Sequence, residues 1–312
     1  MNNLNEVIRN RSELLFLYDV KWANPNGDPL EENKPRIDEE TERCIVSDVR
    51  LKRTIRDELM AMGETIWVSG EAVTPDERAK ELEITSEEDA TKKCIDVRLF
   101  GGVMPIKPKE KGAKGQSINL TGPVQFRFGM SLHPVKVVFM QGTAAFTSEA
   151  KAEQRSFREE YVIPYALICF YGVANENSAK KTNLTEQDMQ KLLKAMWNGT
   201  KNLITRSKME HNPRLLLRII YKEGQNFHIG ELDSYISFVA EKSPKELRDI
   251  SDLQLDVTML MDALGKNKDK IEKVQLIIDE RLKMLKNNSP TCIVRELQEL
   301  GIKFENIAQL MG

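Results

Sequence analysis

Nine consecutive residues, YALICFYGV at 165–173, form an almost unbroken apolar run without a single charge. A run of this kind suits a strand buried on both faces, because alternation with polar residues appears only when one face meets water. Such a strand belongs at the centre of a core. With 312 residues, 40% of them hydrophobic, the chain is long enough to bury one elaborated domain or two small ones around it.

A second strand is legible at 13–22, where Leu14, Phe16, Tyr18, Val20 and Trp22 alternate with Leu15, Leu17, Asp19 and Lys21. It runs into NPNGDP at 24–29, whose prolines and glycine cannot continue a ladder and favour tight turns. The loop lasts to about residue 45. Ser47 then caps a helix in which Leu51, Ile55, Leu59 and Met62 recur at helical spacing before Gly63, with Lys52 and Arg56 on a different face. From 64 to 121 the periodicity is lost: a TPDE helix start at 74–77 and an acidic helix precede a Gly-, Pro- and Lys-rich stretch at 101–115, which reads as an insertion. Alternation returns at 124–128, with Val124, Phe126 and Phe128 facing one way and Gln125 and Arg127 the other. A polar excursion at 147–160 separates that strand from the central run. Thr185 opens the capping pattern TEQD, and Met189, Leu192, Leu193 and Met196 make a helix ending near Gly199 before a strand at 214–221. Strand, helix, strand, strand, helix, strand, interrupted twice, is the order of an α+β, ferredoxin-like or RRM-like domain. Beyond 231 the spacings of Leu253, Leu255, Met259 and Met261, and of Ile271, Val274, Ile277, Ile278 and Leu282, read as helical. No repeat of fixed period is present.

The 46 basic and 48 acidic residues leave a net charge of -2, so attraction to nucleic acid must come from local patches. One is RLKRTIR at 50–56; another, at 107–114, carries Lys107, Lys109, Lys111 and Lys114 against Glu110 alone. The C-terminal third mixes Lys and Glu, as at 241–250, in the manner of a solvated helical surface. Cys44, Cys94, Cys169 and Cys292 are too far apart for a metal knuckle or a redox pair and read as reduced, structural cysteines. The amino end has no apolar segment of a leader, and no run approaches the ~18 residues of a membrane span, so no membrane and a cytoplasmic location are expected.

Phosphate, nucleophile and zinc signatures (GxxxxGK[ST], GxSxG, HExxH) are absent, and His133, His211 and His228 are scattered. No catalytic residue, metal or cofactor is expected. The basic helix is the positive signal, since phosphates need cations and a helix amino end supplies N–H donors. Its bland alternative is a solvated face salt-bridged to Asp57 and Glu58. The NPNGDP loop is either a plain turn or a set of amides that meet phosphate.

The phrases YDVKWANPNGDP (18–29), VSDVRLKRTIRDEL (46–59), DVRLFGG (96–102), TGPVQFRFGMSLHPV (121–135), EYVIPYALICFYGVAN (160–175) and LTEQDMQKLLKAMWNGT (184–200) together resemble the successive motifs of the CRISPR Cascade backbone subunit, the seventh Cas family of the RAMP superfamily, most like its type I-B branch. The resemblance implies an RRM-like palm (1–62, 122–140 and 161–230), a helical finger insertion (63–121) and a thumb hairpin (141–160); it carries no motif past about 231, where the spacings alone make 231–312 a C-terminal helical extension. It implies a non-catalytic subunit that stacks head to tail along the spacer of a crRNA, beside other Cascade subunits, and presents the guide for pairing with target DNA.

By matched position, Ser47, Arg50, Lys52, Arg53 and Arg56 fall where that family grips the RNA backbone, so reversing charge at Lys52 and Arg56 together is expected to abolish RNA retention with the fold intact. Lys21, Asn24, Asn26, Gln125 and Arg127 are further candidates for the same groove. In the thumb, Phe146, Arg155, Phe157 and Arg158 are candidates to wedge between bases or clamp phosphate. Two other readings stand beside this one. Relatives in type III complexes cut RNA with an acidic residue on a palm loop, where this chain has Asp28 and Asp38. A stand-alone RRM-like binder would read single-stranded bases on its sheet, but YALICFYGV lacks the basic, glycine-punctuated form of such modules.

Overall fold

In a computed structural model, residues 4–70, 73–106, 116–143 and 157–311 are described. Strand β1 (Ser12–Ala23) divides its side chains as the alternation requires: Leu14, Phe16, Tyr18 and Val20 enter one core cluster, Leu15 and Leu17 another. Trp22 departs from the pattern, since a φ of +48° turns the chain there and leaves the residue 52% exposed. The NPNGDP segment folds into a short ladder of β2 (Gly27–Asp28) with β3 (Lys34–Pro35), and β4 (Arg43–Val46) leads to α1 (Asp48–Ala61). The Ser47 hydroxyl accepts the Arg50 N–H at 3.2 Å, and Leu51, Ile55 and Leu59 are buried. Gly63 follows at φ +86°, the left-handed backbone with which a helix end is closed.

The lost periodicity after 63 marks a small unit with a core of its own. Helices α2 (Pro75–Glu81), α3 (Glu87–Lys93) and α4 (Ile95–Phe100) and the hairpin of β5 (Gly101–Ile106) with β6 (Gln116–Thr121) surround Trp67, Ala79, Ile84, Ala90, Cys94, Val97, Met104 and Leu120. Thr74 and Glu77 form the reciprocal cap that TPDE announces. Lys107, Lys109, Lys111 and Lys114 lie outside the described residues.

Strands β7 (Val124–Phe126), β8 (Gly129–Pro134) and β9 (Val138–Thr143) precede the 18-residue β10 (Phe157–Ala174), which contains the central apolar run. The start of β10 pairs with β9, from Phe157↔Thr143 to Val162↔Val138, as the two arms of a hairpin. Phe128 corrects the expected alternation: β7 ends at Phe126, and Phe128 is 61% exposed. Next, Gly129 passes so close to Phe170 that a Cβ would lie 2.4 Å from its ring. Helices α5 (Glu176–Thr182) and α6 (Glu186–Lys201) follow, then β11 (His211–Tyr221). The helix expected to stop near Gly199 runs on to Lys201, because Gly199 serves packing: a Cβ there would meet the Thr54 carbonyl of α1 at 3.0 Å.

The remainder is mixed α and β, which corrects the helical reading of 231–312. It comprises β12 (Ser237–Val239), β13 (Gln254–Asp256), α7 (Thr258–Lys266), β14 (Ile271–Ile278), β15 (Met284–Lys286), β16 (Ser289–Thr291), α8 (Ile293–Leu300) and β17 (Phe304–Asn306). Ile271, Val274 and Ile277 are spaced like a helix yet form β14, whose buried neighbours Gln275 and Leu276 erase any alternation; short apolar runs do not distinguish the two periods. The main sheet runs β17-β14-β11-β1-β10-β8-β4, and β10 also pairs with β7 and β9. One face carries a cluster with residues of α1 and α6; the other is covered by 232–302, including Leu232, Leu253, Leu260 and Ile293. The central strands are thus buried on both sides. Among the described residues no helix is long and apolar enough to cross a membrane.

Candidate nucleic-acid interface

At the amino end of α1, the side chain of Asn26 accepts both the backbone N–H (2.8 Å) and the hydroxyl (2.9 Å) of Ser47. The NPNGDP loop is therefore tied to the first turn of the helix. Asn24 is buried, donating to the Asn33 carbonyl at 2.7 Å. Lys52 bridges Asp48 at 3.0 Å and reaches the Gln125 side-chain oxygen at 3.4 Å. Arg53 pairs with Asp57 one turn on, both side chains more than a third exposed. Such an (i, i+4) surface pair contributes only about 0.3–0.5 kcal/mol, so a phosphate can displace its acid. Asn26, Ser47, Arg50, Lys52, Arg53 and Gln125 share this region.

Three expected side chains are committed elsewhere. Arg56 donates to Asp96 at 2.9 Å, and the fully buried Asp96 also accepts the N–H groups of Trp67 (2.7 Å) and Val68 (3.1 Å). This pair fastens the insertion to α1 and is no free cation, because removing either partner strands a buried charge. Lys21 lies on the opposite face of the sheet, 3.2 Å from Asp249, as its alternation with Val20 demands. Arg127 faces Asp233 at 3.6 Å and Glu231 at 3.9 Å. Both acids belong to the C-terminal segment, and only the folded chain brings them near. Phe146 and Arg155 lie outside the described residues; Phe157 and Arg158 open β10 opposite Thr143 and Gly142.

The segment 202–211, passed over in the sequence, closes the same end of β1. Arg50, Pro25, Leu203 and His211 line one small cavity with Tyr18. Arg50 reaches Thr54 with one nitrogen (2.9 Å), while its buried Nε and the Nε2 of His211 have no protein partner. Burial pushes the pKa of Arg50 down, and burial together with the Arg50 charge does the same to Lys208. Burial, then the charges of Lys208 and Arg50, lower His211 to about 3. The signal available in the sequence was the TRSK run at 205–208, two cations in a polar turn.

Because the folded chain holds His211 neutral down to about 3 whereas an unfolded histidine protonates near 6.5, acid favours unfolding. Stability should fall below that upper value by ~1.4 kcal/mol per pH unit from this residue. Urea midpoints measured at about pH 7 and pH 5 check it: His211→Asn should flatten the dependence, leaving the part due to the buried His133, and an unchanged slope would contradict the assignment.

Asp28 is bound to Arg36 at 2.7 Å and accepts the Leu30 N–H; Asp38 accepts the N–H of Thr41 at 3.2 Å and its hydroxyl. Both carboxylates thus stabilise their own turns. Cys44, Cys94 and Cys169 are buried thiols and Cys292 is exposed; all four are free.

A family model described as CRISPR-associated protein Cas7 matches residues 10–258. A curated CRISPR-associated protein Cas7 of Haloferax volcanii is 33% identical over 304 residues, covering 88% of each chain. Among solved structures, a chain of a CRISPR RNA-guided surveillance complex superposes with a TM-score of 0.52 at 13% identity, covering 93% of this chain and 98% of that one. At that identity the likeness concerns the fold.

Proposed function

The chain belongs to the Cas7 family, and on that premise we propose that it is a non-catalytic, crRNA-binding backbone subunit of a CRISPR surveillance complex. The observation that carries the reading is the region at the amino end of α1, where Ser47, Asn26, Lys52, Arg53 and Gln125 meet beside Arg50. It combines Arg53, whose surface partner is weakly held, and the further cations Arg50 and Lys52 with hydroxyl and amide groups, the chemistry that grips a sugar-phosphate chain without reading bases. The order β11-β1-β10-β8 is fourth, first, third, second for a ferredoxin-like unit, with α1 and α6 on one face, and supports an RRM-like palm. The insertion would be its finger and the β9–β10 arms the root of its thumb. Copies stack head to tail along the spacer and leave base edges free for target DNA.

Two observations weigh against the other readings. The sheet has no open face on which to stack bases, unlike a stand-alone RRM-like binder. Asp28 is neutralised by Arg36, and Asp38 is occupied by Thr41, which disfavours either as the acidic residue of a nuclease. Purification of the chain with its complex, followed by sequencing of the bound nucleic acid, should return repeat-flanked small RNAs. Affinity should fall steeply with salt and depend little on spacer sequence. Arg53→Glu should lower the RNA retained without shifting thermal unfolding. A strong sequence preference, or regular cuts in complementary RNA that depend on Asp28 or Asp38, would refute the proposal.

A further inference from the structure

Trp22 is held out of the fold by its own backbone. Its φ of +48° is rare for a bulky residue, and a conformation of that kind persists only where the surroundings impose it. In the register with β10, Lys21 opposes Tyr165 and Ala23 opposes Ile163, so Trp22 stands opposite Pro164, which has no N–H to give the ladder. On the other side, the Lys21 N–H donates to the Glu210 carbonyl (3.3 Å) and the Asn24 N–H to that of Ser207 (2.8 Å). Lys208 and Met209 therefore run alongside Trp22 and Ala23, and Glu210 has a left-handed φ of +61° as well. Two left-handed positions thus lie diagonally across the strands, Glu210 beside Lys21 and Trp22 beside Met209.

What surrounds the indole decides what it meets. Met209 and Ile204 are exposed, and so is the side chain of Arg206, whose one ion pair among the described residues is a long 3.9 Å contact with Glu160. Lys208 contacts only the Ser207 hydroxyl (3.4 Å) and has no ion-pair partner among the described residues. Arg50 stands on the seam beneath, beside His211 and Leu203. An apolar protein partner has no use for an unpaired lysine and a loosely held arginine beside an exposed aromatic ring. A flat π surface next to such cations is the combination with which single-stranded nucleic acid is held, a base on the ring and its phosphate on the charge.

We propose that Trp22 is a base-stacking site for single-stranded RNA, with Lys208 and Arg206 taking the adjoining phosphates. The proposal rests on the RNA-binding reading above and adds to it a contact with a base face on the 202–211 side of β1. Of the three tryptophans, Trp67 is 6% exposed and Trp197 is partly buried, so quenching on binding should report Trp22.

The experiment titrates the full chain with oligouridylate of about 30 nucleotides at low salt, following both tryptophan fluorescence and filter retention, and repeats it with an abasic strand of equal length. Wild type should quench on oligouridylate and not on the abasic strand. Trp22→Ala should bind oligouridylate about tenfold more weakly and the abasic strand as wild type does; Trp22→Phe should lose the quench yet keep most of the affinity. Equal oligouridylate affinity in wild type and Trp22→Ala would overturn the stacking site while leaving the RNA-binding reading standing. A change in self-association without RNA, at unchanged affinity, would overturn it in favour of a protein contact. Failure of wild type to retain any RNA would overturn both readings.

Discussion

Arg56→Glu should loosen the insertion from α1 and lower global stability, on the order of 3–5 kcal/mol, whether or not RNA is present. The substitution removes the one cation paired with Asp96 among the described residues, a fully buried carboxylate, and sets a second negative charge beside it. Asp96 would still hold the N–H groups of Trp67 and Val68, so the strand of chain entering the insertion is pulled apart from the helix it rests on. Arg56 also lies 5.2 Å from the Phe100 ring, so packing is lost together with charge. A domain stable by about 5–15 kcal/mol leaves little margin for such a loss. Denaturation midpoints and hydrogen exchange across 64–106 provide the check. Unchanged exchange there would show that the pair is dispensable. The joint reversal of Lys52 and Arg56, expected from the sequence to spare the fold, is for this reason a poor test of RNA binding, and Arg53 is the better position.

Glu13→Ala is expected to cost a similar amount, on the order of 4 kcal/mol, by a different route. Glu13 is completely buried, and among the described residues no cation pairs with its carboxylate. Four donors satisfy it instead: the hydroxyls of Tyr171 (2.6 Å) and Tyr221, and the N–H groups of Ile229 (2.8 Å) and Gly230 (2.7 Å). Alanine would take this acceptor from all four, leaving the Ile229 N–H only the Tyr221 hydroxyl at 3.2 Å. The hydroxyls can rotate toward other acceptors, but the two backbone donors cannot, and each buried orphan costs ~1–3 kcal/mol. Glu13→Gln should fall between, because one end of its amide accepts while the other presents N–H to N–H. Since 229–230 begins the segment that covers the second face of the sheet, exposure should spread to Leu232 and Leu253, and binding of a hydrophobic dye should rise with the loss of stability. A variant with wild-type midpoint and no added dye binding would show that Glu13 does not anchor this segment.

The two residues illustrate what was and was not legible. Local patterns carried far: the alternation of β1, the caps at Ser47, Thr74 and Thr185, and the apolar run of β10 all stand where the residues put them. Each depends on neighbours within one turn or one pleat, a range over which the chain's own geometry dictates the partner. β14 escaped because its two faces are both buried, which removes the polar residues that would have marked a period of two.

The basic helix was visible as a row of cations, but the fate of each was not. Arg56 is lost to an acid forty residues on, Lys21 to Asp249 across the sheet, and Arg127 to Glu231 and Asp233, while Lys208 and His211 join Arg50 from far along the chain. By itself the sequence determined the strands β1, β10 and β11, the capped helices α1 and α6, and where cations are concentrated, since propensity, capping and periodicity act over a few residues. Only the tertiary structure decided which of those cations are neutralised and which aromatics remain outside, because charge pairing and burial depend on distances that no linear spacing contains.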